Sequence, residues 1–138
     1  MKRLLLVDDN EKYAAIITNH FRPLGYEIDH AVSAADGLSM FTKNGLDHYA
    51  LIVTDITMES QVAGLFMLRK IHTMGYRGPI VIASTGFDFP GAKMLSKLFL
   101  RPTGATYLVP KTTVLRNDFE YHPMAFFAKP LKAFPESS

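Results

Sequence analysis

The residues whose chemistry stands out are Asp8, Asp9, Asp55 and Ser84. Each group directly follows a short apolar run: Leu4-Leu5-Leu6-Val7, Leu51-Ile52-Val53-Thr54 and Ile80-Val81-Ile82-Ala83. Apolar runs of this length read as strands of a parallel sheet buried on both faces. A buried strand has no local use for an unpaired carboxylate, so the polar residues mark strand ends at solvent. Parallel strands with covered faces put those ends on one edge, where open α/β sheets bind ligands. Carboxylates crowded there repel one another unless a cation neutralises them. The ligand set is all oxygen, with no cysteine and no suitably spaced histidine. It favours a hard cation, and Mg²⁺ needs only one or two carboxylates plus water. A hydroxyl at Ser84 and a lysine ammonium would complete a pocket for a phosphoryl group. Taken singly, each element has a plainer role: Asp8-Asp9 as helix caps, Ser84-Thr85-Gly86 as a turn. Their convergence on three strand ends sets them apart.

The elements that must position these residues alternate along the chain. Asn10 caps a helix whose apolar face is Tyr13, Ile16, Ile17, Phe21 and Leu24, closed by Pro23 and Gly25. Tyr26 to Val32 alternates in polarity, as an outer strand does. Ser33 and Asp36 form a capping-box pattern for a second helix carrying Leu38, Met40 and Phe41, which ends at Asn44-Gly45. The third strand begins near Tyr49, and a loop through Glu59, Ser60 and Gln61 leads to a third helix from Gly64. Gly78-Pro79 introduces the fourth strand, and Ala92 to Leu100 has helical spacing up to Pro102. This alternation predicts an α/β fold, a doubly wound parallel sheet with helices on both faces. Beyond Leu100 two apolar runs compete for the last strand: Ala105 to Val109, followed by Lys111, and Met124 to Ala128, followed by Lys129.

Composition narrows the classes. The chain has 138 residues, 48% hydrophobic and 20% charged, as in one globular domain. No apolar stretch approaches the ~18–20 residues of a membrane span, and the apolar start is interrupted by Asp8 too early for a signal peptide. The net charge of +2 is scattered, so neither nucleic acid nor membrane is an expected partner, and a cytoplasmic protein is the default.

These motifs together resemble the receiver domain of two-component response regulators. The resemblance rests on Leu5 to Asn10, Leu51 to Met58, Gly64-Leu65, Pro79 to Ser84, and Phe126-Phe127-Ala128-Lys129-Pro130. It makes residues 1–138 one receiver domain, with 102–138 diverging from the family pattern. It implies a five-stranded flavodoxin-like sheet in the order 2-1-3-4-5, an order for which a receiver protein is the standard example. It implies that Asp55 is the phosphoacceptor and that Asp8, Asp9, Asp55 and the Thr57 backbone carbonyl hold Mg²⁺. Ser84 would contact the phosphoryl oxygens, and a lysine would pair with them. Lys129 is preferred to Lys111. Pro110 lacks the N–H of a central strand, whereas Phe126 stands at the family's switch position and the Lys129-Pro130 bond is expected to be cis.

The implied function is a phosphorylation-dependent switch, not an enzyme, served by a histidine kinase or phosphotransfer protein and acting on a downstream target. A homodimer is left open. The alternative is a degenerate receiver used as a phosphorylation-independent interaction module. A phosphatase with an aspartyl nucleophile would want a second acid two residues after Asp55, where Thr57 stands. The chain departs from the family at Glu59, in place of the usual proline, at Thr85, and at a C-terminus that leaves little room for a final helix after Lys129.

Overall fold

A computed structural model describes residues 2–56, 61–84, 103–124 and 129–135. The sheet runs in the order β2-β1-β3-β4-β5-β6. Its strands are β1 (Lys2–Val7), β2 (Tyr26–Ala31), β3 (Leu51–Ile56), β4 (Ile80–Ser84), β5 (Tyr107–Pro110) and β6 (His122–Pro123). The first five pair in parallel, giving the expected 2-1-3-4-5 arrangement. Among the described residues the sheet is nevertheless six-stranded, because β6 adds to β5 in antiparallel register, Leu108 opposite His122.

Among the described residues four α-helices flank the strands: α1 (Glu11–Phe21), α2 (Ala34–Asn44), α3 (Gln61–Thr73) and α4 (Lys111–Leu115). The local signals for the first two operate as the sequence suggests. The Asn10 side chain accepts from the Lys12 and Tyr13 N–H groups, and Ser33 Oγ accepts from Asp36 N. Helix α3 starts three residues before the expected Gly64. Gly64 instead lies inside it, where an added Cβ would stand 3.1 Å from Ile56 Cγ1, so the helix passes close to the end of β3. The helix expected over Ala92 to Leu100 lies outside the described residues.

Strand alternation divides the core in two. Leu5, Val7, Ile52, Ile80, Ile82 and Leu108 face α2 and α3, packing on Phe41, Met67, Leu68 and Ile71. Leu4, Leu6, Leu51, Val53, Val81 and Val109 face the other way, onto Ala14, Ile17 and Phe21 of α1.

Among the described residues after β5, a short helix and an aromatic segment close that second face. Helix α4 has five residues, buries Val114 and stops at Arg116. Asn117 follows at φ 54°, a left-handed turn that asparagine tolerates. Thr113 Oγ1 donates to Pro110 O (2.7 Å) and accepts from Glu120 N (3.3 Å), tying the next segment to the start of α4. Phe119, Tyr121 and Phe134 then pack edge-on or tilted around Phe21, Tyr26 and Tyr107. Tyr121 is anchored twice, by reciprocal 2.8 Å backbone hydrogen bonds with Leu131 and by its hydroxyl, 2.6 Å from His20 Nε2.

The choice of last strand is corrected here. Tyr107–Pro110, from the first candidate run, is the strand beside β4. Of the second run, Met124 donates its N–H to Thr106 O, and Ala125 to Ala128 lie outside the described residues. The proline objection fails for a positional reason: Pro110 is the last residue of β5 and the N-cap of α4, where the ladder has already ended.

Candidate functional site

Strands β1 and β3 end side by side, Val7 opposite Thr54, which brings the residues after them together. One carboxylate oxygen from each of Asp8, Asp9 and Asp55 lies within 4.8 Å of the others. Asp8 is 2% exposed and Asp55 8%, while Asp9 is exposed. The loop is pinned by its backbone. Asp8 N donates to Ala31 O at 3.0 Å, and Asp8 O accepts from His30 Nε2 at 2.7 Å. Asn10 N donates to Asp8 Oδ1 at 2.8 Å, whereas Asp8 Oδ2 is buried with no hydrogen-bond partner. Beside the carboxylates a cleft of about 180 Å³ opens between Val32, Ser33 and Ala34 on one side and Ala63 and Gly64 on the other.

Burial pushes the Asp8 carboxyl up to about 6, against the opposing Asn10 N–H, and the neighbouring Asp55 charge adds to the rise. Asp55 is also raised, first by burial, and the Lys111 ammonium opposes that rise. Lys111 is itself buried, and its Nζ lies 2.5 Å from Asp55 Oδ1. Nζ also sits over the Tyr13 ring, 4.3 Å from the centroid. Ser84 is half-buried at the end of β4, in register with Ile56 and with Pro110, the residue before Lys111.

The site therefore gathers Asp8, Asp9, Asp55 and Lys111, with Ser84 at the adjoining strand end. Lys129 is not among them. It is exposed, and no peptide bond among the described residues is cis, so Lys129-Pro130 is trans. Lys111 holds the place expected for Lys129 because it follows β5 directly, on the edge where β3 delivers Asp55. The sequence signal for Lys111 is its distance from Gly104-Ala105, which matches the spacing implied by the receiver resemblance. The spacing of Tyr13 places it on an apolar helix face, and the structure sets its ring under the Lys111 ammonium. Thr57, Glu59, Thr85 and Phe126 lie outside the described residues.

The model of the response regulator receiver domain family matches residues 4–111, ending on the lysine that meets Asp55. The chain belongs to this family. A 77-residue stretch is 30% identical to the sensor protein EvgS of Escherichia coli O157:H7, covering 56% of this chain and 6% of that protein. The receiver domain thus spans a small part of the curated relatives it matches. Its fold is similar to a response regulator receiver domain protein from Clostridium thermocellum, with TM-score 0.66, 20% identity, and 85% of this chain and 94% of the other covered. It is also similar to a chain of the CheX–CheY–BeF3–Mg²⁺ complex from Borrelia burgdorferi, with TM-score 0.66, 20% identity, and 84% and 85% covered. No helix of the described receiver residues is long and apolar enough to cross a membrane.

Receiver domains generally bind Mg²⁺ at an acidic pocket, and the residues present here fit such an ion. The donors are all carboxylate oxygens, and Asp8 Oδ2 is a buried acceptor left unpartnered. A pH dependence follows. Asp8 titrates at about 6 in the folded, metal-free protein, against about 3.9 unfolded. Between those values the folded state holds more protons, so stability rises as pH falls through the window and is lower above it. In EDTA, urea unfolding should show about 1 kcal/mol more stability at pH 5 than at pH 7, relative to Asp8→Asn. Mg²⁺ at pH 7 should recover much of that difference. A wild-type profile parallel to that of Asp8→Asn would contradict the assignment.

Proposed function

We propose that this receiver domain is a phosphorylation-dependent switch whose phosphoacceptor is Asp55. The observation that carries the reading is the buried Lys111–Asp55 ion pair inside a cluster of three carboxylates. Asp55 Oδ attacks the phosphorus of a phosphohistidine or small phosphodonor. A new P–O bond forms, the bond to the donor breaks, and the leaving group keeps the electron pair. Lys111 serves two ends. It keeps Asp55 ionised as the nucleophile, and it stays to pair with the phosphoryl oxygens once the carboxylate is esterified. Ser84 hydrogen-bonds to the same oxygens from the neighbouring strand end.

Asp8, Asp9 and Asp55 would hold Mg²⁺, with the Thr57 carbonyl as the further ligand that the family implies. Bound there, the ion supplies charge neutralisation, without which a phosphoryl group would meet three carboxylates. Phosphorylation adds roughly 1.5–2 negative charges, and the altered surface is read by a downstream partner protein. The donor is a histidine kinase or a phosphotransfer protein.

Intact-protein mass spectrometry with a small phosphodonor tests this. Wild-type protein should gain one phosphoryl group with Mg²⁺ and none in EDTA, and Asp55→Asn should gain none. Labelling that persists in Asp55→Asn would sink the assignment. A wild-type chain that stays unlabelled would favour the phosphorylation-independent interaction module.

A further inference from the structure

We infer that Tyr13 is a positioning residue that holds the Lys111 ammonium on Asp55. The inference rests on the reading of Asp55 and Lys111 just given. Lys111 Nζ meets two groups, Asp55 Oδ1 at 2.5 Å and the face of the Tyr13 ring with its centroid at 4.3 Å. The lysine side chain is only 6% exposed, so little water remains to solvate the cation. The ring face supplies the missing electrostatic partner, because the negative face of an aromatic quadrupole attracts an ammonium.

The placement of Tyr13 is tied to the acidic loop. It is the third residue of α1, and its N–H donates to Asn10 Oδ1 at 3.2 Å. Asn10 N in turn donates to Asp8 Oδ1 at 2.8 Å. The connection therefore runs from Asp8 through Asn10 and Tyr13 to Lys111, and back to Asp55. One helix cap orients both a carboxylate of the cluster and the ring that backs the lysine.

The ring matters most at transfer. Esterification removes the charge from the Asp55 oxygen that Lys111 faces and moves it onto the phosphoryl group. An ammonium tethered only to that oxygen would lose its partner at that moment. The Tyr13 face does not change in the reaction and keeps the cation in place.

Two measurements test this. The first is pulsed amine acylation of the full chain without phosphodonor, with Lys111 followed by peptide mass spectrometry. Tyr13→Leu should raise Lys111 labelling by about three- to thirtyfold, the range of one cation–π contact, while Tyr13→Phe stays near wild type. The second is the rate of phosphoryl uptake at Asp55. It should fall by a similar factor in Tyr13→Leu, recover in Tyr13→Phe, and show no Tyr13 effect in a Lys111→Ala background. Unchanged labelling in Tyr13→Leu, equal change in the Phe and Leu variants, or a rate effect that survives in Lys111→Ala would each overturn the inference. If wild-type protein takes up no phosphoryl group, the switch reading falls, and the labelling result still decides the role of Tyr13.

Discussion

Lys111→Ala is expected to uncouple phosphorylation from conformational change, whereas Lys129→Ala behaves as wild type. Lys111 Nζ is 2.5 Å from Asp55 Oδ1, with both side chains nearly buried. Lys129 is exposed. Removing one partner of a buried pair leaves the other charge without compensation, at roughly 3–5 kcal/mol. The expected loss sits at the lower end of that range, because burial already raises the Asp55 carboxyl and the ammonium that opposes the rise is gone, so the carboxylate can take a proton instead. We expect Lys111→Ala to lose about 3 kcal/mol in urea unfolding at neutral pH in EDTA, with part recovered by Mg²⁺. Amide spectra before and after phosphorylation give the functional readout. In wild type the shifts extend beyond the site. In Lys111→Ala they stay local, because no cation follows the new charge. Long-range shifts lost in Lys129→Ala but retained in Lys111→Ala would reverse the assignment.

The second large effect concerns the segment that closes the sheet after α4. Tyr121 is fully buried and contacts Phe119, Phe134, Tyr107 and His20. Tyr121→Ala should therefore cost about 3–5 kcal/mol, the usual range for emptying an aromatic core site. Tyr121→Phe keeps the ring and loses only the hydroxyl contact to His20, at about 1 kcal/mol. Burial holds the His20 imidazole below its usual titration range, so this contact should be insensitive to pH near neutrality. Denaturant midpoints of the two variants check the argument. A near-neutral Tyr121→Ala would mean that Phe119, Tyr121 and Phe134 lie loosely on α1, and that the α1 face of the sheet is closed by something else.

Much of the site was legible because its signals are local. A carboxylate after an apolar run marks a strand end wherever the strand goes, and the apolar runs of β1, β3 and β4, the alternation of β2 and the helical spacing of α1 and α2 need no distant partner to be read. Asp8, Asp9, Asp55 and Ser84 follow from that rule alone, whereas the strand order 2-1-3-4-5 came from the family resemblance. Asn10 and Ser33 could be named as caps because a cap oxygen and the N–H groups that donate to it lie within three residues of each other.

The C-terminal third obeys a different physics. Ala105 to Val109 and Met124 to Ala128 are equally plausible strands as isolated strings, and each is followed by a lysine. Only pairing with β4, which sets Val81 opposite Tyr107 and Ser84 opposite Pro110, makes Lys111 the residue that reaches Asp55. That pairing is non-local, and no periodicity within residues 102–138 encodes it. The same holds for Tyr13. Its spacing assigns it to an apolar helix face, and its role as the partner of a cation exists only because α4 begins beside α1. Sequence by itself determined which oxygens gather at the edge of the sheet. Tertiary structure decided which cation meets them, because a lysine is selected by the strand that delivers it and not by the residues that flank it.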